Sequence, residues 1–294
     1  MTPVAERVHL LKKFHLWLNH DLQRSEPQNS PKYGRFGPEQ MFHMDQIPLP
    51  FVLDSSRSLN SIGKPVFIKM PHGSGLDKRQ ATIQLTIRAG GDQVVRVGLI
   101  FRGKGVRPKA AELKVYRELA GVVQVYFQPN AWADEKVMLK WLDEFHADTK
   151  DLGLGEVLLG MDNHGAQQTD KFRERMQLYN IVPAYTPPDC TDVVAPCDHH
   201  VGAHLKKLVG AYYHMDMEKN QARWCNPPTA GGLEAFERRI LMAQWTAAAW
   251  LTISEKHNFL RQAFVSTGFL LAKDGSENGL AKVPGLPDYD FTTP

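Results

Sequence analysis

Cysteine is scarce. The chain of 294 residues has three, Cys190, Cys197 and Cys225, an odd number without CxxC spacing. That excludes a disulfide framework and a cysteine zinc cluster, and it points to a reducing compartment. Long hydrophobic runs are also missing. Nothing approaches the ~20 consecutive apolar residues of a membrane span, so no membrane partner is expected. The stretch from Met1 to Arg7 lacks the apolar core of a signal peptide. There is no HExxH, and no Walker pattern follows Gly103-Lys104-Gly105, so that segment reads as a turn. Charge of one sign is not in excess: 35 basic against 32 acidic residues leave +3, too mild to mark a nucleic-acid binder. What remains is ordinary for a globular protein, 43% apolar and 23% charged, in a chain long enough to bury its own core.

The apolar pattern divides the chain. Val8, Leu11, Phe14, Trp17 and Leu18 recur at helical spacing, and the polar stretch from Asn19 to Gly37 reads as a loop. The next block is rich in strands. Met41–Gln46 and Lys64–Lys69 are short runs, and the first is expected to end against Pro48 and Pro50. In Ala81–Arg88, Ile83, Leu85 and Ile87 alternate onto one face; Gly90-Gly91-Asp92 then supplies a hairpin turn before Val94–Phe101 returns. Val122–Phe127 is a further strand. Asp134 is placed to cap a helix carrying Met138, Trp141, Leu142 and Phe145. A buried strand, Val157–Met161, ends on Asp162. A helix through Phe172, Met176 and Tyr179 follows, and Ile181–Tyr185 is extended, with Pro183 arguing for an edge or a strand end. From about 198 the chain is helical, broken near Pro227-Pro228 and Gly231-Gly232. Trp132, Trp141, Trp245 and Trp250 are expected to be core or half-buried. An antiparallel start followed by alternating strands and helices predicts an α/β fold, a mixed sheet with helices on its faces.

Three aspartates occupy informative places. Asp45 lies in the first strand, Asp162 ends the apolar strand, and Asp198 opens a helix. Carboxylates at strand ends and a helix start can meet at one sheet edge, where oxygen ligands suit Mg²⁺ or Mn²⁺. Taken singly, each is equally a turn residue or an N-cap. Between Arg102 and Arg117 six basic residues face one acid, Glu112; the run is either a solvated face or an edge that tracks phosphates. Arg102 and Lys104 from it, with Lys206 and Lys207 after Asp198, are the candidate DNA contacts. His200 and His204, at i and i+4, leave a zinc site with Asp198 as a lesser alternative to surface histidines.

Phe42–Pro48, Leu158–His164 and Thr186–Asp198, with Val125–Trp132 and the hairpin Ala81–Phe101 in the same order, resemble the blocks of DDE superfamily endonucleases. More narrowly, they resemble the catalytic domain of pogo/mariner-type transposases. The resemblance covers roughly residues 5 to 270. It implies an RNase H-like fold, a five-stranded mixed sheet with three antiparallel strands and helices on both sides, plus a C-terminal helical extension. It implies that Asp45, Asp162 and Asp198, on the first strand, the end of the fourth strand and the helix after the fifth, are the catalytic and metal-binding acids. They would hold two Mg²⁺ (or Mn²⁺) ions, Asp45 bridging both, to hydrolyse phosphodiester bonds and transfer strands. The third block departs from the common Gln-Pro-Leu-Asp, reading Ala195-Pro196-Cys197-Asp198. A catalytically silent, domesticated DNA- or protein-binding domain is the alternative. The organisation expected is an N-terminal helix and linker (1–40), the endonuclease domain (41–272) and a loose tail (273–294). DNA is the expected partner, with recognition supplied by a separate module or by a homo-oligomer, and the nucleus is the expected location.

Overall fold

Period-two alternation from 41 to 101 builds a meander, and everything after it is wrapped around that meander. The computed structural model describes residues 3–50, 79–104 and 106–292. In chain order the elements are α1 (Val4–Leu16), β1 (Met41–Pro50), β2 (Arg79–Arg88), β3 (Val97–Arg102), α2 (Ala110–Glu118), β4 (Val123–Gln128), α3 (Glu135–Thr149), β5 (Val157–Met161) and α4 (Asp170–Leu178). β6 (Ile181–Tyr185), α5 (Thr191–Val194), α6 (Gly202–Lys219), α7 (Gln221–Cys225), α8 (Ala235–Ser254) and α9 (His257–Ser266) complete the order. The Lys64–Lys69 run lies outside the described residues.

The strands form one six-stranded sheet in the order β4-β3-β2-β1-β5-β6. β1, β2 and β3 pair antiparallel, as expected. The pairs β3–β4, β1–β5 and β5–β6 are parallel. The sheet therefore has one strand more than the five of the resemblance. The addition is β4, which the sequence shows as Val122–Phe127. Asp162 accordingly ends the fifth strand, and Asp198 follows the sixth. β1 runs on through Pro48 to Pro50, because Pro48 still pairs in register with Thr82. β6 is an edge strand, so Pro183 leaves no interior ladder bond unmade.

Alternation sends the two faces into two cores. Ile47, Leu49, Ile83, Leu85, Ile87, Leu99 and Phe101 pack with residues of α1, α6, α8 and α9. On the other face Phe42, Met44, Ile100, Leu159 and Met161 pack with α3 and α4 around Trp141, Phe145 and Phe172. Asp134 caps α3 as predicted, accepting from Val137 N at 2.9 Å. Both faces are covered, so Gln84 and Thr86, on the polar side of the β2 pattern, are buried as well.

The two chain ends differ from expectation. Asn19–Leu22 is not loop: a π-helical turn, Trp17–Leu22, continues α1, with Asn19 Nδ2 donating to the carbonyls of His15 and Gly268. The tail is not loose either. Val283, Tyr289 and Phe291 are buried in the same core cluster as Leu11 and Phe14, so residues 3–40 and 273–292 contribute to the core of the domain between them. The anchor is His15. Its Nε2–H donates to Thr267 O at 2.9 Å, which leaves Nδ1 to accept from the Tyr289 hydroxyl at 2.8 Å. Burial lowers the His15 pKa to about 4, only partly opposed by the Thr267 carbonyl. Between that value and the unfolded value of about 6.5 the unfolded chain binds a proton the native chain does not. Stability from this group is therefore full above about pH 6.5 and is lost as pH falls toward 4, by about 3 kcal/mol. Urea midpoints at pH 7 and pH 4.5 are expected to differ clearly. The difference shrinks in His15→Gln, which keeps the donor and acceptor without the titration. Buried His43, shifted the same way, keeps it from vanishing.

Candidate active site

The order β4-β3-β2-β1-β5-β6 has one reversal, between β1 and β5. The chain builds away from β1 through β4, crosses back through α3, and continues on the other side. All strands but β2 point the same way. Their carboxyl ends thus share one edge, and the reversal opens a crevice there, the usual ligand position in open α/β sheets.

Asp45 and Asp162 are on the two strands that flank this crevice. β1 and β5 pair Met41 with Leu158, Phe42 with Leu159 and His43 with Gly160. The same offset carried two residues further sets Asp45 beside Asp162, both on the face of His43 and Gly160. Asp45 is half-buried and accepts from Gln46 N at 2.6 Å. Asp162 is half-buried, with His164 N directed at its Oδ1 at 3.4 Å.

Asp198 arrives from the far side of the crevice. It sits in a π-helical turn, Cys197–Val201, that runs straight into α6. Cys197 is buried and points its Sγ at His43 O, 3.2 Å away, tying the turn to β1 two residues before Asp45. Val201, Leu205 and Val209 bury the inner side of the helix. Upstream, the buried Arg7 guanidinium of α1 holds Asp192 in α5, with Nη2 to Oδ2 at 2.8 Å, and also binds the Asp189 carbonyl. Asp198 keeps one side open to solvent while its carboxyl turns toward Asp45.

The carboxylates feel one another. Burial first, then the facing charge and hydrogen bond of Asp198, raise the Asp45 pKa well above the usual carboxylate range; Asp162 adds to it and Gln46 N–H opposes it. Asp198 is raised too, first by burial and then by Asp162 and Asp192. The hydrogen bond from Asp45 and the charge of Lys206 work against this. Asp45 and Asp198 thus face one another, with Asp162 in electrostatic reach of both. Among the described residues no group of three or more His, Cys, Asp or Glu side chains stands in metal-holding geometry. The donor set still fits a hard divalent cation. It is all oxygen, and its crowded negative charge is of the kind a cation relieves.

Of the candidate DNA contacts, Arg102, Lys104 and Lys207 are exposed and Lys206 is half-buried beside Asp198. Arg102 ends β3 at the same carboxyl edge as the acids. The zinc alternative finds no support at His204, whose Nε2 faces Lys256 Nζ at 3.1 Å.

The loop Gln128–Asp134, partly covered by the family resemblance, crosses from the edge strand β4 to the crevice. Trp132 reads from the sequence as core or half-buried, like Trp141, Trp245 and Trp250. Those three are buried, but Trp132 is 42% exposed, with its ring stacked on His164. Helical or strand periodicity carries no signal for such a loop position.

A family model described as DDE superfamily endonuclease matches residues 78–264, more than half of the chain. The chain belongs to that family. Asp162 and Asp198 of this DDE superfamily endonuclease fall inside the matched segment, and Asp45 precedes it. No curated protein matches the chain. Among solved structures it is similar to the Mos1 transposase paired-end complex with left transposon end, at 11% identity over 90% of this chain and 62% of that one, TM-score 0.44. It is also similar to the Mos1 Strand Transfer Complex, at 14% identity over 90% and 62%, TM-score 0.44. A third is the Mos1 transposase catalytic domain with Raltegravir and Mn, at 10% identity over 86% and 94%, TM-score 0.40. The chain thus spans 62% of the length of the first of these.

Proposed function

We propose that this DDE superfamily endonuclease domain cleaves and joins DNA strands of a transposable element in the nucleus, using Mg²⁺ or Mn²⁺ held by Asp45, Asp162 and Asp198. The observation that carries the reading is the meeting of Asp45 and Asp198, with Asp162 in reach, at the sheet's one reversal of strand order. Two divalent ions at such a site activate a water and stabilise the attacking and leaving oxygens of a phosphodiester. The residues of the chain do the positioning. β1 and β5 present Asp45 and Asp162 from a rigid sheet, and the Cys197 turn presents Asp198 opposite them. Asp45, which faces both Asp198 and Asp162, would be the ligand shared by the two ions in this reading. Lys206 beside Asp198, with Lys207, Arg102 and Lys104, meets the DNA backbone, which makes binding fall steeply with salt.

Calorimetric titration of Mn²⁺ into the metal-free chain and into Asp162→Ala tests this without needing a DNA sequence. Binding in the wild type, weakened at least about tenfold in the variant, is the expected result, because a metal site loses that much with an altered ligand shell. Absence of binding in both would leave a silent DNA- or protein-binding domain as the better description.

A further inference from the structure

The row of side chains that carries two of the acids has a third member. Where β5 and β6 run parallel, Gly160 pairs with Ala184 and Met161 with Tyr185. One step further, Thr186 N donates to Met161 O at 2.8 Å. This register sets Thr186 beside Asp162, as the register of β1 sets Asp45 on its other side. Neighbouring strands lie about 4.8 Å apart. Asp45, Asp162 and Thr186 therefore stand side by side along the carboxyl edge, on the face of His43, Gly160 and Ala184. The Thr186 backbone has little freedom. Its N–H is bonded into the ladder, and Pro187 follows, which keeps the residue before it extended.

Thr186 is 1% exposed, yet its Oγ1 has no hydrogen-bond partner among the described residues. A covered hydroxyl left unpaired is a cost that valine, of the same shape, would avoid. Behind the row the rings of His43 and Phe269 close over Gly160, so the fitting acceptor is the carboxylate alongside. Asp162 is half-buried and loosely held, with His164 N 3.4 Å from its Oδ1. Its charge acts on both other acids and helps to raise the pKa of each. Crowding of this kind turns a carboxylate toward solvent, and a cation among the acids removes it. We propose that Thr186 is a positioning residue of the acidic site, its hydroxyl donating to the Asp162 carboxylate when a divalent cation is bound. The inference rests on the metal-dependent reading above and deepens it. Hydrogen bonds of this kind fix the direction of a ligating carboxylate. Covered as it is, Thr186 does not meet DNA; it acts through Asp162.

The test measures Mn²⁺ affinity by calorimetry and melting temperature in chelator, on the full chain and on Thr186→Val, Thr186→Ser and Thr186→Ala. Thr186→Val is expected to bind Mn²⁺ at least about tenfold more weakly than the wild type, the usual loss when the hydrogen-bond partner of a metal ligand is removed. In chelator it is expected to melt at or above the wild type, because the unpaired hydroxyl is gone. A residue that only packs would not move affinity and stability in opposite directions. Thr186→Ser keeps the hydroxyl and is expected to bind Mn²⁺ much as the wild type does. Thr186→Ala differs from it only in lacking that hydroxyl and is expected to bind as weakly as Thr186→Val. The serine and alanine pair gives the answer even if the valine variant does not fold. Wild-type affinity in the variants without a hydroxyl overturns the role of Thr186 and leaves the metal site standing. No Mn²⁺ binding by the wild type overturns both.

Discussion

Asp45→Asn is expected to melt above the wild-type chain in chelator and to lose whatever stabilisation Mn²⁺ gives the wild type. In the metal-free fold Asp45 is a half-buried carboxyl facing Asp198, with Asp162 close by. A carboxyl whose folded pKa is raised binds a proton in the native state that the unfolded chain gives up. Its contribution to stability is complete at low pH and declines as pH rises above about 4. Asparagine removes that penalty, and its amide can still donate to Asp198. If only one or two pKa units of the burden are relieved, the gain is about 1–3 kcal/mol at neutral pH. For a chain of this size that is about 2–6 °C in melting temperature. Function moves the other way. The same substitution deletes a proposed metal ligand, so Mn²⁺ binding is expected to weaken by about tenfold or more in calorimetry. Melting curves with and without Mn²⁺ are the check. A variant less stable than wild type in chelator, yet still stabilised by Mn²⁺, would sink the assignment. Stability traded for a crowded acidic site is what a functional site costs.

The sheet was largely legible because its signals are local. The alternation of Ile83, Leu85 and Ile87, the Asp134 cap and the Pro183 edge strand each depend on a few neighbouring residues, and each appears where the sequence places it. The returning strand does not, since it begins at Val97 after an eight-residue connection (89–96) in place of the tight glycine turn, and pairs with β2 only from Ala81 with Phe101 to Gln84 with Gly98. The site was legible only in part. Taken alone, Asp45 and Asp162 are strand-end acids; they become neighbours through the parallel register of β1 and β5, which a 117-residue separation hides. Resemblance to the family supplied the pairing that spacing could not. The remaining errors are long-range. Tyr289 is held by His15, 274 residues away, so a Gly- and Pro-rich tail that reads as loose is in fact docked. Trp132 is exposed because a crossing loop carries it over the end of the sheet, and β4 adds a sixth strand because the helix α2 brings the chain back parallel to β3.

That helix sets up the second large effect. α2 carries Lys114 and Arg117 on its exposed side and is fastened to α8 by one covered carboxylate. Glu112 is 0% exposed, accepting from Arg239 Nε at 2.7 Å, from Lys109 N at 2.8 Å and from the Tyr116 hydroxyl at 3.1 Å. Burial alone would push the Glu112 pKa up. Arg239, the Lys109 amide and Tyr116 more than offset it and leave the group below its ordinary value. Arg239→Ala removes the countercharge while the carboxylate stays covered, the case in which breaking a buried pair costs 3–5 kcal/mol. About 3 kcal/mol is expected here, because two of the three donors remain. The loss of the Arg239 guanidinium from the Phe127 ring, 5.7 Å away, adds a little. Adding Glu112→Gln to Arg239→Ala is expected to recover a third or more of the loss, because the uncompensated charge disappears. Glu112→Gln alone costs less than Arg239→Ala, since a guanidinium near the surface can turn toward water and a covered carboxylate cannot. Urea unfolding of the four proteins in a double-mutant cycle measures the coupling. A coupling energy near zero would mean that α2 is held by its apolar contacts and that the covered ion pair is incidental to its placement.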